Sequence, residues 1–479
     1  MIRKIGIAIS LLYSVSSFAA TWHVGPSRTY TYCSQVASLV QDGDSILIDK
    51  AIYVNDPQVK WSKNNLYIAG IGGRPRLEAG SIIANDMSNG KGIFVISGSN
   101  VQVDNIEFAN AVVQDHNGAG IRQEGANLWV TNCFFNGNEM GILCGSIPNC
   151  KTTVEYSEFV NNGSPANPGY QHNIYINHID TLVFRYNYSH NAIAEGHELK
   201  SRATYNFILY NRIANENSED SRTIDLPNGG TSVIVGNIIE QGPNSANHKF
   251  IGYGLEGLTN PAPNDLFCCS NTIINKNANG SFIQVANGTD TLFLKNNILA
   301  GAKTNGLIVG LPIVLDSSNN EVNNLATDIG FVDAFNYDYH LTPASVVINK
   351  GIPISRTILG NPLQPYLEYI DTCNFETKVL EGIIDIGAYE YPLPLATIEN
   401  EIPEFSIYPN PSTRYFVIHV TDLFSPGQLL VINPIGEILI TKELQPGDNN
   451  INVSEWNSGL YIIAIKINDK TFVRKLVIN

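Results

Sequence analysis

The chain has 479 residues, enough for two or three domains, with only 15% charged residues and a formal net charge of -15. The charged share is well under the roughly 25% of an average globular chain, and the acidic balance excludes nonspecific nucleic-acid binding, because phosphates would be repelled. An acidic polymer remains an allowed partner, but only through a local cationic patch or a bound cation.

The chain opens with "MIRKIGIAISLLYSVSSFAA". Two basic residues precede an apolar run that ends in small residues, which predicts a secretory signal over residues 1–20, cleaved near Ala19 or Ala20. That run is too short to span a bilayer and no later segment is long enough, so no transmembrane segment is expected. None of the seven cysteines has metal-site spacing. They are expected in the core, with Cys144 and Cys150 able to close a small disulfide loop around "GSIPN".

A repeat organises the next 375 residues, 21–395. Its unit is a short β-rich run, an Asn or Ser, then another apolar pair, as in "VQVDNIEF", "LWVTNCFF", "FILYNRIA" and "LFLKNNIL". The polar marks are Asn105, Asn132, Ser157, Asn187, Asn211, Asn237, Asn271 and Asn297. Most gaps between them lie between 24 and 30 residues; the one after Asn237 is longer and holds "GLEGLTNPAPND", a predicted loop. A repeat of this length without helix-period segments predicts an all-β fold, a right-handed parallel β-helix, with "TWHVGPSRTYTYCSQV" as its N-terminal cap. Propeller blades need units of roughly 40 residues. The marked Asn side chains are expected to stack from coil to coil.

Residues 396–479 differ in pattern. A Pro-rich, acidic stretch, "YPLPLATIENEIPE", leads into alternating apolar residues and turn signals, which predict a small antiparallel β-sandwich. "YPNPS", "GLYIIAI" and a basic final strand occur in that order. They resemble the C-terminal sorting domain of the type IX secretion system. The resemblance implies the secretion machinery as a partner, export across the outer membrane of a Bacteroidetes-type bacterium, and a secreted or cell-surface location.

Within the repeat, "HELKSRA" crowds charge into a chain that has little of it. Aligning coils sets it beside "HNIYINH" (172–178) and "TIDLPNGG" (223–230). Strand alternation then places Ile174, Ile176, Leu199, Ser201, Ile224 and Leu226 inward. Three outward columns are expected at 25-residue spacing: Tyr175, Lys200 and Asp225; Asn173, Glu198 and Thr223; Asn177, Arg202 and Pro227. His172, His178, His190 and His197 are expected in the same region.

This patch suits β-elimination on a uronic-acid polymer. A base must take the proton at C5, a cation must neutralise the carboxylate as an enediolate forms, and a donor must protonate the departing oxygen. Lys200 is the candidate base, Arg202 the candidate carboxylate partner and Tyr175 the candidate donor, with His172 or His197 as alternative bases. Asn173, His178, Glu198, Arg222, Asp225 and Asn228 are candidate substrate-binding residues. Two facing acids, Glu198 and Asp225, would instead suit a glycoside hydrolase. A C5-epimerase shares the proton abstraction, and a noncatalytic carbohydrate-binding surface protein is the further alternative. A monomer is expected.

The repeats resemble the parallel β-helix group that includes pectate lyases, alginate lyases and chondroitinase B. "FNYDYHLTPASVVINKG" and "DIGAYEY" resemble the closing coils of bacterial members. The resemblance implies a polysaccharide lyase in which the lysine of a "K-S" pair, here Lys200 and Ser201, is the base. The group's catalytic arginine lies in the next coil, where this chain has Pro227 or Asn228, with Arg222 nearby. The group's calcium site uses two glutamates ahead of the lysine. Glu195 and Glu198 stand there at a different spacing, which with Asp225 makes them the candidate Ca2+ ligands.

Overall fold

Apolar residues at every second position, cut by turns after three to five residues, build coils rather than hairpins here. A computed structural model describes residues 19–80, 91–379, 382–392, 405–420, 427–433, 437–467 and 470–479. Most of the expected signal segment, residues 1–18, lies outside these. The chain divides into two compact units, one ending at Pro392 and the other beginning at Leu393.

The first unit is a parallel β-solenoid. Each coil adds one strand to each of three parallel sheets, which hold 12, 11 and 10 strands. We call them faces A, B and C in that order. Face A begins with Thr21–Val24 and ends with Val314–Asp316; face B runs from Ile52–Val54 to Glu321–Asn323, and face C from Val59–Trp61 to Ile308–Val309. The interior is a set of stacked columns. On face C one column reads Ile121, Ile142, Ile174, Leu199, Ile224, Ile251 and Ile283, all buried. Phe108, Phe135 and Phe159 stack face to face, with ring centroids 5.2 and 4.6 Å apart. Each such side chain contributes about 2 kcal/mol by leaving water. The N-terminal stretch closes the solenoid as expected, with Cys33, Val36 and Val40 buried against the first coil.

The Asn ladder is present. Asn187, Asn211, Asn237, Asn271, Asn297 and Asn320 each accept from the backbone N–H of the Asn one coil earlier, or in the first case from Ser157, at 2.9–3.0 Å. Two of the expected marks lie elsewhere. Asn105 and Asn132 sit one residue earlier in the turn, at φ 55° and 52°. Their counterparts in later coils are Tyr156, Tyr186, Tyr210, Gly236, Ser270 and Asn296, likewise at positive φ. Asn tolerates that left-handed position, so one residue type serves two adjacent roles, and sequence spacing alone does not separate them.

Two further expectations are corrected. The coils end at Asn323, not near residue 395. Residues beyond them turn back along the outside. Ile354, Leu363 and Leu367 cover apolar residues on the outer side of face A, and Tyr339, Val347, Ile386 and Tyr389 pack on face B. "FNYDYHL" therefore forms a surface hairpin instead of a coil. All seven cysteines are free thiols, six of them buried, so Cys144 and Cys150 form no bridge.

The second unit has two antiparallel sheets of three and four strands around Phe416, Ile418, Leu429, Val431, Ile463 and Leu476. The "YPNPS" turn is tied to the final strand. Asn410 accepts from Val477 N–H at 2.9 Å and donates to the Lys475 carbonyl at 2.7 Å. Widely separated motif elements thus meet in space.

Candidate active site

The outward column on face C stands as expected: Tyr175 pairs with Lys200, and Lys200 with Asp225. Gly252 is next in line, followed by Gln284. Side-chain contacts make this column the centre of a charged network. Lys200 Nζ lies 3.4 Å from Asp225 Oδ2 and 3.2 Å from Glu256 Oε1. Arg202 donates to Tyr175 Oη at 2.9 Å and to Asn228 Oδ1 at 2.6 Å, and pairs with Glu256 at 2.7 Å. Arg222 reaches Asp225 at 3.8 Å and Gln284 at 3.4 Å. Three cations face two carboxylates, a local positive excess on an acidic protein. Gly252 makes room for this. A Cβ there would lie 2.8 Å from Arg222 Cδ and Nε.

A second column lies three residues ahead of the first: His172, His197 and Arg222, also spaced by 25. The imidazoles stack at 4.7 Å. His172 Nδ1 accepts the backbone N–H of His197, and His197 Nδ1 accepts that of Arg222, both at 3.0 Å. A backbone N–H only donates, so Nδ1 carries no proton and Nε2 carries it. Burial, then the neighbouring His197, Lys200 and Arg202, holds His172 well below the usual histidine range. Burial, then Lys200 and Arg222, does the same for His197. Both rings are neutral Nε2–H donors near neutral pH. His197 Nε2 lies 3.6 Å from Asp225.

The expected outward column of Asn173, Glu198 and Thr223 is instead fully buried. The strands are only three residues long, Ile174–Ile176, Leu199–Ser201 and Ile224–Leu226. Residues just ahead of them lie in the corner between faces B and C, where strand alternation no longer holds. Asn173 donates to the carbonyl of His190 at 3.0 Å and to the Glu198 carboxyl. Glu198 also accepts Ala192 N–H at 2.8 Å. Burial first, and Asp220 second, pushes Glu198 well above the carboxylate range, while burial raises Asp220 to about 8. Glu198 is thus an internal link, removed from any substrate.

Other expected residues separate as well. His178 is exposed and bonds its neighbour Asn177. His190 lies on face B, stacked on Tyr188 and bonded to Glu158 at 3.0 Å. Glu195 is exposed in a turn at φ 60°. With Glu198 inside the corner and Asp225 beside Lys200, the three candidate calcium ligands do not converge, and no set of three such ligands gathers elsewhere among the described residues. This donor set does not fit Ca2+.

Glu256, Gln284 and Gly252 escaped the sequence reading. Glu256 stands in the predicted loop, but nothing in the loop's sequence tells where its carboxylate returns. The column of His172, His197 and Arg222 was legible in principle from its shared 25-residue spacing. Beyond the network lies a cavity of about 460 Å³ bordered by Gly254, Leu255, Gln284, Asn287, Val309 and Leu311.

Comparison with known proteins adds one finding. Residues 406–479 match the secretion system C-terminal sorting domain. No curated protein matches the chain. The tail supports a secreted or cell-surface location and engagement of the type IX secretion machinery. Among the described residues, no helix is long and apolar enough to cross a membrane.

Proposed function

We propose that the face C network is the active site of a polysaccharide lyase that cleaves a uronate-containing polymer by β-elimination. The observation that carries this reading is the column of Tyr175, Lys200 and Asp225 on the outer side of face C, flanked by the partly covered Arg202 and Arg222. The two guanidinium groups neutralise the substrate carboxylate as charge builds on it. Lys200 in its free-amine form removes the C5 proton. The electron pair becomes the C4–C5 double bond, the C4–O bond breaks, and the leaving oxygen takes the Tyr175 proton. Arg202 already donates to Tyr175 Oη, so it stabilises the phenolate that results. His197 offers its Nε2–H to the enediolate, while His172 fixes the His197 backbone from behind. The adjoining cavity suits a neighbouring sugar unit.

Hydrolysis is the second reading, because Asp225 and Glu256 flank Lys200. Glu198 cannot belong to that pair, being buried. An epimerase would use the same base without cleaving the chain. Incubation with pectate, alginate and glycosaminoglycans, followed by ultraviolet absorbance, tests the proposal. The lyase reading expects a conjugated, absorbing product from at least one polymer. Cleavage without absorbance would favour hydrolysis, and binding without any product a noncatalytic role.

A further inference from the structure

Glu256 comes from residues 254–264, the excursion between strands Lys249–Tyr253 and Asp265–Cys269. The backbone of this excursion is pinned to the previous coil. Gly254 N–H bonds the Leu226 carbonyl at 2.8 Å, Glu256 N–H that of Pro227 at 2.9 Å, and Asn260 N–H that of Asn228 at 3.0 Å. The Asn260 amide also donates to the carbonyls of Ala203 and Gly229, each at 3.0 Å. The Glu256 side chain is the less constrained part, 46% exposed. Its two oxygens divide between two cations, Oε1 on Lys200 and Oε2 on Arg202. Arg202 donates from Nε to Tyr175 and from Nη1 to Asn228, and Glu256 sits against Nη2.

An ion pair this exposed is weakly held, because solvent screens it. The seat beneath it is better built. Both cations are largely covered, at 13% and 15% side-chain exposure, and Arg202 is fixed by two hydrogen bonds. We propose that the Arg202 guanidinium edge is a carboxylate-binding seat that Glu256 fills in the free protein, and that a ligand carboxylate enters by displacing the Glu256 side chain, which also frees Lys200 from that ion pair. The identity of the ligand as a uronate rests on the lyase reading; the seat itself does not. Glu256 then determines specificity. A neutral or methyl-esterified sugar brings no charge to replace the one it must expel, so it is rejected.

Two measurements test this on the full chain. Binding of glucuronate and of its methyl ester is measured by calorimetry for the wild type and Glu256→Gln. Line broadening of 13C-acetate is measured for the wild type, Glu256→Gln, and Glu256→Gln combined with Arg202→Ala. The expected result is glucuronate binding about tenfold tighter in Glu256→Gln, the scale of one removed charge-assisted competitor. The methyl ester should show no comparable gain. Acetate should broaden most with Glu256→Gln and least with the double variant. Equal broadening in all three proteins, or glucuronate binding unchanged or weakened by Glu256→Gln, overturns the proposal. If the acetate response appears but no polyuronate is cleaved, the seat stands and the lyase reading fails.

Discussion

At the residue scale, the histidine tautomers divide the labour of the site. Each Nδ1 is already occupied by a backbone N–H, so neither ring has a free lone pair to act as base. In the proposed lyase reaction that leaves the role to Lys200. Lys200→Ala should reduce turnover by at least about a hundredfold with a much smaller loss of affinity, since a base acts mainly in the transition state. Initial rates and equilibrium binding of the same polymer check this; full activity in Lys200→Ala would move the base elsewhere. The buried acids make a second prediction, on stability. Asp220 is raised from 3.8 to about 8, so the fold favours its neutral form. The stability tied to it is full below about 4 and is lost as pH rises to about 8. Glu198 shifts in the same direction. Asp220→Asn keeps a neutral group of similar shape. Thermal melts across that pH window should show a flatter decline for Asp220→Asn than for the wild type; parallel curves would refute it.

At the element scale, coils are held in register by the Asn ladder as well as by the apolar columns. Asn211 accepts from both the backbone and the side chain of Asn187, and donates to the Phe184 carbonyl at 2.8 Å and to Asn237. Asn211→Ala would leave several buried groups unpaired, at a cost of about 2–4 kcal/mol. Urea denaturation of the solenoid measures this; a change within experimental error would mean that water replaces the ladder. The ladder was legible because its spacing repeats and its residues are polar amid apolar neighbours. The column of Tyr175, Lys200 and Asp225 was legible for the same reason, being made of strand residues at a constant interval. Asn173 and Glu198 were misplaced because alternation holds within a three-residue strand and fails at its corner. The same failure of local pattern hid Glu256, whose position depends on how a loop folds back across a coil.

At the scale of the whole molecule, the division of labour follows from composition. Turn formers and β-branched residues stack into a weakly charged solenoid, and Lys200, Arg202, Arg222, Asp225 and Glu256 form one charged network on face C. A separate C-terminal sandwich carries the sorting signal, with "YPNPS" clamped to the last strand. The repeat announced the solenoid but not where it stops, since the strands beyond residue 323 have the same composition and merely lie outside the coils. The central claim is the reaction itself, and its bond chemistry can be read directly. In the proposed elimination a proton moves to Lys200 and a double bond is left, with no water entering the products. The decisive measurement is mass spectrometry of the fragments formed from a cleaved polyuronate in 18O-labelled water. The account predicts fragments with an unsaturated terminal sugar and no 18O beyond the exchange seen without protein. Fragments carrying one 18O at the newly formed end would contradict it and assign the site to hydrolysis.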